Sequence, residues 1–287
     1  MTPGAAGLGL VLLALPHSAV AQDSLRLQFS PVRGVRIHRV FQAHTRTTVS
    51  RVDSAGAMQT STRETAELGG MTQVALEGPD GGLVVHLTFD SLRARMREGG
   101  ERWRERQVGQ PDSLWIQVRI DRRMRVLGTN AGGDAPGAKL LVPLLTGVPG
   151  LVLPEQWVKA GDRWTARLEV PLDAFGGRPP TIAYVPTLAG RTTFAVDSVI
   201  ARARDTLAYV EFAGAFAPKK VADAHGTALS YSGGVQGALV WSTGWGAWVS
   251  AATRLRVVVS MAGAGATPGP TRGRITVETT IRESVRQ

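Results

Sequence analysis

The residue types that most often perform chemistry are sparse in this sequence. Four of its five histidines follow residue 21, namely His38, His44, His86 and His225. His38 and His44 are six residues apart, so on an extended strand they share a face but lie roughly 20 Å from each other, too far to share a metal ion. His86 falls on the polar phase of its own segment. The histidines therefore predict surface positions and no metal site.

The carboxylates and a search for catalytic motifs also give no sign of a catalytic site. The sequence contains no G-x-S-x-G, no H-E-x-x-H, no phosphate-binding P-loop and no glycine-rich dinucleotide motif. Asp121, Asp162 and Asp197 fall in turns or on polar faces, where two of them could still meet across strands as a general acid and base. We therefore expect no enzymatic activity and no cofactor, with a hydrolase using paired carboxylates as an alternative.

Composition excludes further classes of protein. The chain has 287 residues, 43% of them hydrophobic, and no cysteine. It is therefore long enough to bury a core, and it can have no disulfide, cysteine-zinc site or catalytic thiol. The net charge of +10 comes from 29 Arg and only 4 Lys, a skew that GC-rich codon usage produces as readily as selection for phosphate binding. We do not predict a nucleic-acid partner.

The N-terminus predicts export. Residues 8–15 read LGLVLLAL, and Ala19-Val20-Ala21 then fits a small-x-small cleavage site. The segment before the apolar run lacks Lys and Arg, which departs from the usual pattern. No segment reaches the roughly 18 consecutive apolar residues of a membrane-spanning helix. We predict a signal peptide over residues 1–21 and a mature protein in the periplasm or outside the cell.

The elements that must position any site are strands. Apolar and polar residues alternate over residues 35–49, 83–89, 114–120, 164–172 and 249–261, and helical periodicity is almost absent. Such one-sided alternation is typical of antiparallel strands with one buried face. The predicted fold is all-β: a large curved antiparallel sheet, a sandwich or a half-barrel, with two similar β halves as one way of building it.

The middle of the chain interrupts this alternation. Residues 131–137, AGGDAPG, resemble a linker, and residues 139–153 are strongly apolar but contain Pro143 and Pro149, which exclude a regular strand or a long helix. Two interpretations are open for this strap, a plug in the open end of a sheet or a movable lid over a cavity. The predicted organisation is an N-terminal β half at 22–130, linker and strap at 131–153, and a C-terminal β half at 154–287.

Aromatic and basic clusters are candidate contact residues. Trp241, Trp245 and Trp248 predict core positions, with Trp245 between two glycines the best candidate for exposure. Ten arginines fall within about thirty residues, either as a solvated face or as a contact for anionic lipid headgroups. They are Arg93, Arg95, Arg97, Arg102, Arg104, Arg106, Arg119, Arg122, Arg123 and Arg125.

An apolar binding site follows from what must cover the strands. With no amphipathic helix available, the sheet must cover itself or be covered by the strap and a ligand. If it closes imperfectly, its cavity would suit a lipid or another apolar molecule. The predicted lining is Phe41, Leu87, Phe89, Ile116, Val118, Leu144, Leu145, Leu255 and Val257. We predict binding of an apolar or amphiphilic molecule of the cell envelope, with a ligand-free structural or interaction module as the alternative.

Three segments carry a resemblance to known proteins. They are LRLQF at residues 25–29, LPEQWVKAGDRW at 153–164 and GVQGALVWSTGWGAWVSA at 234–251. In this order they resemble an uncharacterised family of exported bacterial all-β proteins, with Gly161-Asp162-x-Trp164 the most specific part. The resemblance implies no activity. The general plan is also similar to periplasmic lipoprotein carriers, in which a curved sheet holds acyl chains.

Overall fold

The computed structural model describes residues 24–52, 55–78, 81–106, 115–132, 148, 150–171, 187–202, 204–222, 228–262 and 272–286. The predicted signal peptide, Leu144 and Leu145 lie outside these residues. The described residues form thirteen strands: β1 (Arg36–Val52), β2 (Met58–Glu77), β3 (Leu83–Glu98), β4 (Arg104–Arg106), β5 (Trp115–Ile120), β6 (Val126–Gly132), β7 (Arg163–Pro171), β8 (Thr187–Arg202), β9 (Asp205–Phe216), β10 (Lys219–Ala222), β11 (Ala228–Ser242), β12 (Ala247–Ala262) and β13 (Arg272–Val285).

All thirteen strands belong to one antiparallel sheet that does not close. Its order is β6-β5-β3-β2-β1-β13-β12-β11-β9-β8-β7, with β4 beside β3 and β10 beside β11. The chain starts at the centre, runs to the β6 edge, continues from the opposite β7 edge and returns to the centre, where β1 pairs with β13. The predicted all-β antiparallel fold is confirmed.

None of the described residues is helical, and the described residues contain no helix long and apolar enough to cross a membrane. The alternation predicted from sequence is visible as burial. On β1, Ile37 and Phe41 are buried while His38 and Gln42 are exposed.

One face of the sheet holds the core, and we call it the concave face. The buried apolar residues of the long strands form a single cluster on this face, reaching from β5 through the centre to β7. A single sheet can surround one core only by curling around it, which the right-handed twist of its strands allows. The opposite face, here the convex face, carries most of the charged side chains.

Glycines permit tight curvature in the C-terminal half. A Cβ on Gly190, Gly214 or Gly237 would collide with the backbone carbonyl of the neighbouring strand. At Gly237 it would also lie 2.6 Å from the Phe212 ring. Such close approach of backbone to backbone marks the places where a strand bends.

Two segments outside the sheet cross its concave face, and together they form a plug of residues 24–30, 148 and 150–158. Leu25 and Val158 exchange backbone hydrogen bonds of 2.8 Å, and the Phe29 N–H donates to the Arg122 carbonyl. The Leu153 N–H donates to the carbonyl of Arg123. The plug buries Leu25, Leu27, Phe29, Val148, Leu151, Leu153 and Val158. The described end of the predicted strap is therefore built into the core, as the plug interpretation expects.

Two glycine substitutions test the origin of the curvature. We expect Gly237→Ala to lower the free energy of unfolding by about 2 kcal/mol, because the new methyl group must displace a carbonyl and an aromatic ring. Gly128→Ala is the matched control, since a Cβ there meets nothing within 4 Å, and we expect a change below about 1 kcal/mol. Urea denaturation of both variants measures the difference. Equal effects would contradict the assignment of Gly237 to a bend.

Candidate functional site

The concave face divides into two halves. The near half lies under the plug, toward the turns at residues 121–125 and 243–246, and its apolar side chains are buried. The far half extends toward the turn between β1 and β2. Its apolar side chains are only partly buried, and they include Val49, Leu92, Met96, Met261, Ile275 and Val277.

The seven described residues of the predicted lining lie on the concave face. Each is at most 6% exposed, and all seven belong to the one core cluster: Phe41, Leu87, Phe89, Ile116, Val118, Leu255 and Val257. Phe41 and Phe89 meet edge to face with their ring centroids 6.1 Å apart. Leu255 and Val257 continue on β12 toward the far half. The structure thus brings these residues into one core, and their contact with a ligand stays a prediction.

A buried polar cluster lies at the centre of the concave face. The Arg39 Nε donates to Gln73 Oε1 at 2.6 Å, and its Nη1 donates to Glu283 Oε1 at 3.0 Å. Its Nη2 donates to the Trp248 carbonyl at 3.1 Å, and the guanidinium lies 4.4 Å from the Trp248 ring centre. Arg39 therefore joins β1 to β2, β13 and β12.

The ion pair of this cluster is removed from solvent. The side chains of Arg39 and Glu283 are 0% and 2% exposed. Burial raises the pKa of Glu283, an effect that the charge of Arg39 opposes, and burial lowers the pKa of Arg39. Glu283 is the only buried carboxylate among the described residues, and its ion-pair partner is an arginine. The described core therefore offers a structural ion pair rather than an acid–base dyad.

Sequence reasoning missed this cluster, although a signal was available. Arg39 falls in the apolar phase of β1 between Ile37 and Phe41, and Glu283 falls in the apolar phase of β13 between Ile281 and Val285. A charged residue in such a position either breaks the alternation or has a buried partner. Two opposite charges, one near each end of the chain, could have been matched on this ground.

The described histidines lie on the convex face, apart from one another. His38 is 3.7 Å from the Asp90 carboxylate, and His44 is 3.4 Å from Glu64. His86 stacks on Trp115. No three metal-ligating side chains of the described residues come together. His225 lies outside the described residues.

The three clustered tryptophans differ in exposure as predicted. Trp241 and Trp248 are buried, and Trp245 is 39% exposed at the tip of the turn between β11 and β12. This turn is held by Asp205, whose carboxylate accepts hydrogen bonds from the Ser242 hydroxyl and the Gly244 N–H. Burial would raise the pKa of Asp205, but these hydrogen bonds, together with those from Thr243 and from the Thr206 backbone, outweigh it and lower the pKa.

Charges alternate across five neighbouring strands of the convex face. In register from β3 to β12 the residues are Arg97, Glu64, Arg46, Glu278 and Arg256. Glu64 receives two hydrogen bonds from Arg97, at 2.7 and 3.1 Å, and lies near Arg46. These hydrogen bonds, more than the nearby positive charge, lower the pKa of Glu64. This row of alternating charges orders the convex surface and does not form a site.

Two pockets in the described part of the chain open to solvent, and the seven described residues of the predicted lining border neither. One, of about 410 Å³, lies on the convex face over Ala238 and Ala252, with Glu211 on one side and Arg282 on the other. The second, of about 340 Å³, lies where β2, β3, β5 and β6 end, and we call it the near-end pocket. It is lined by Gly78, Gly81, Gly82, Leu83, Val84, Arg119, Ile120, Asp121, Arg122, Arg123, Arg125 and Leu127.

The buried ion pair generates a stability prediction. We expect Glu283→Gln to lower the free energy of unfolding by about 3 kcal/mol, because it leaves the Arg39 charge buried without its counter-ion. Replacing both partners, Arg39→Met with Glu283→Leu, should recover most of that loss. Glu278→Gln on the convex face of the same strand is the control, with an expected loss below about 1 kcal/mol. Chemical denaturation of the wild type and the three variants measures these losses. A loss in Glu283→Gln as small as that in the control would contradict the role assigned to the pair.

Glu64 generates a pH prediction. Because its pKa in the folded protein lies below the unfolded value, it stabilises the fold above an unfolded pKa of about 4.3. That contribution is lost as the pH falls through the folded pKa. We expect the unfolding free energy of the wild type to fall more steeply than that of Glu64→Gln between about pH 6 and pH 3. Parallel curves would show that Arg97 does not stabilise the ionised carboxylate.

Comparisons with known proteins add a likeness of shape alone. No family model matches the chain, and no curated protein matches it. One similar solved structure is titled "Lipid-protein interactions in lipovitellin"; it covers 90% of this chain at 10% identity with a TM-score of 0.44. The present chain spans about a quarter of that protein, 25% of its length. At this identity and TM-score the likeness carries no conclusion about function.

Proposed function

We propose that the mature chain is exported and binds an apolar or amphiphilic molecule of the cell envelope without catalysing a reaction. The binding region is the far half of the concave face. The observation that carries this proposal is the difference in burial between the two halves. The plug covers the near half, whereas Met261, Ile275 and Leu92 remain partly exposed at the border of the same core.

Apolar contact supplies the affinity in this proposal. Burying apolar surface contributes about 25 cal/mol for each Å² removed from water. Val49, Ile275 and Met261 lie on neighbouring strands in or next to one row of the far half. An acyl chain or another flexible apolar group placed along them would bury surface that the described residues leave in part exposed.

Polar side chains in the same half suit a ligand with a polar end. Thr45 and Thr279 share a hydrogen bond of 3.1 Å on the concave face. Thr47 follows on β1, next to Arg63, which pairs with Glu98. Hydroxyl and charged groups beside apolar ones accommodate an amphiphile better than a purely aliphatic wall would.

One observation favours the alternative of a ligand-free structural or interaction module. The near half is filled entirely by the chain itself, with Phe29 and Leu153 at 0% and 1% exposure. A fold that fills half of its concavity with its own side chains could fill the rest by contact with another protein. The two proposals differ in whether a small molecule accompanies the purified protein.

Native mass spectrometry of the protein from the envelope fraction, followed by organic extraction, tests the proposal. We expect a discrete co-purifying lipid or other apolar molecule. Met261→Asp should reduce its occupancy at least fivefold, because it places a charge on the concave face. Ser260→Asp is the matched control: it adds the same charge one residue away on the convex face, opposite Arg274, and should retain the ligand.

Two outcomes would contradict the proposal. A mass equal to the chain alone, from cells that supply envelope lipids, would favour the structural module. Equal loss of the ligand in both variants would show that the molecule does not occupy the far half. Thermal unfolding of both variants, recorded alongside, ensures that the comparison is between folded proteins.

A further inference from the structure

A tyrosine hydroxyl is buried without a hydrogen-bond partner in the far half of the concave face. Tyr231 lies on β11, is 2% exposed and belongs to the single core cluster. Its hydroxyl forms no hydrogen bond within the described chain. A buried hydroxyl that has left water without finding another partner costs free energy, and such groups are rare in native cores. The Tyr231 hydroxyl is therefore free to bind a group from outside the chain.

The register places Tyr231 at one end of the apolar row that the proposed function assigns to the ligand. Tyr231 lies opposite Val259 on β12, Val259 lies opposite Ile275 on β13, and Ile275 lies opposite Val49 on β1. Residues directly opposite one another on antiparallel strands share a face. With neighbouring strands about 4.8 Å apart, the row runs roughly 14 Å from β11 to β1. Ile275 and Val49 are only partly buried, so the row offers apolar surface next to the hydroxyl.

A lysine without a counter-ion stands beside the tyrosine. Lys219 on β10 pairs in register with Tyr231, which puts the two residues on the same face with their Cβ atoms about 5 Å apart. Lys219 is exposed and forms no ion pair with any described residue. Among the described strands β10 pairs with β11 alone, so Lys219 lies at the open end of the row. Both side chains are long enough to contact one small group between them.

Together the two side chains supply one positive charge and one neutral donor. Burial raises the pKa of the Tyr231 hydroxyl, so the group stays protonated and donates at neutral pH. The Lys219 ammonium has three donors on a flexible stem. A carboxylate has one negative charge and two acceptor oxygens, enough to pair with the ammonium and to accept from the hydroxyl. A cationic headgroup would find no negative charge on either side chain.

We propose that Tyr231 and Lys219 bind the carboxylate of a fatty acid whose chain lies along the apolar row toward β1. The fatty acid names the class of amphiphile in the proposed function, on which this inference rests. The carboxylate pairs with the exposed ammonium and then accepts the hydrogen bond of the hydroxyl. Because surrounding atoms cover the hydroxyl, the second contact requires a neighbouring side chain to move, and the flexible Lys219 can do so.

Calorimetric titration of the delipidated full chain with laurate and with methyl laurate, both kept below the concentration at which they aggregate, tests this site. We expect Tyr231→Phe and Lys219→Gln each to weaken laurate binding at least fivefold, because each removes one contact of the carboxylate. Lys219→Gln should leave methyl laurate binding within twofold of the wild type, because the ester has no charge for the ammonium to neutralise.

Each variant has a matched control on the convex face. Lys220→Gln removes the same charge one residue away, opposite Ser230 instead of Tyr231. Tyr209→Phe removes the hydroxyl of a half-buried tyrosine on β9. Both controls should bind laurate as the wild type does. Equal weakening by Lys219→Gln and Lys220→Gln would reduce the effect to the net charge of the protein and overturn the assignment.

The stability of Tyr231→Phe separates a binding group from a structural one. Because the wild-type hydroxyl has no partner in the described chain, its removal should leave the thermal unfolding midpoint of the delipidated protein unchanged or raise it by a few degrees. Scanning calorimetry of the wild type and the variant measures this shift. A lower midpoint would show that the hydroxyl already has a stabilising partner, such as a bound water molecule, and would overturn the inference.

Further outcomes separate this inference from the proposed function. Met261→Asp could release a co-purifying molecule while Tyr231→Phe and Lys219→Gln leave laurate binding unchanged. The far half would then bind an apolar ligand, and the carboxylate site would be overturned. Dodecyl phosphate binding at least tenfold more tightly than laurate, with the same loss in Lys219→Gln, would identify a phosphate monoester and overturn the fatty acid. Failure of laurate to bind the wild type would overturn it as well, even if another molecule co-purifies.

Discussion

The pairing of the first long strand with the last is the constraint on which the rest of the molecule depends. β1 and β13 run together over thirteen residue pairs, from Arg39 opposite Val285 to Arg51 opposite Gly273. This seam joins the strands that precede the linker to those that follow it. At its buried end Arg39 binds Glu283, and the same guanidinium reaches β2 and β12. A buried arginine needs a counter-ion. Only a register of β1 against β13 that brings these groups together therefore gives Arg39 its partner.

The plug follows from this topology. With both halves of the chain meeting at the centre, the connection between them must leave from one sheet edge and return at the other. The described part of this connection passes over the concave face, from the carbonyl of Arg123 to the bridge between Val158 and Leu25. The same crossing fills the near half of the concave face. A chain whose described residues form strands and no helix thereby covers part of its core with its own connection, and the far half remains less buried.

Sequence alone predicted the strands and the phase of their alternation. In a half-buried antiparallel strand successive side chains point to opposite faces, so apolar and polar residues alternate along the sequence. It did not predict the order of the strands, since the partners of β1 include residues about 240 positions away. The seven described residues of the predicted lining lie in one core on one face, and their contact with a ligand stays a prediction. Which of them are covered depends on the path of the plug, and alternation carries no information on it. The glycines and the arginines that line the near-end pocket are about forty residues apart in sequence, and only the pairing of β3 with β5 makes them neighbours.

The two edges of the open sheet are protected in different ways. On β7, exposed Arg163, Arg167 and Glu169 place charges along the edge, a common barrier to pairing with another sheet. On β6, Val126 and Leu127 are exposed instead, and the arginines of the preceding turn, residues 121–125, supply charge from outside the strand. Arginines beside an apolar edge repel a second copy of the same edge, because like charges would face each other. The two edges therefore reach the same protection by different routes, one with charges on the edge strand itself and the other with charges on a neighbouring turn.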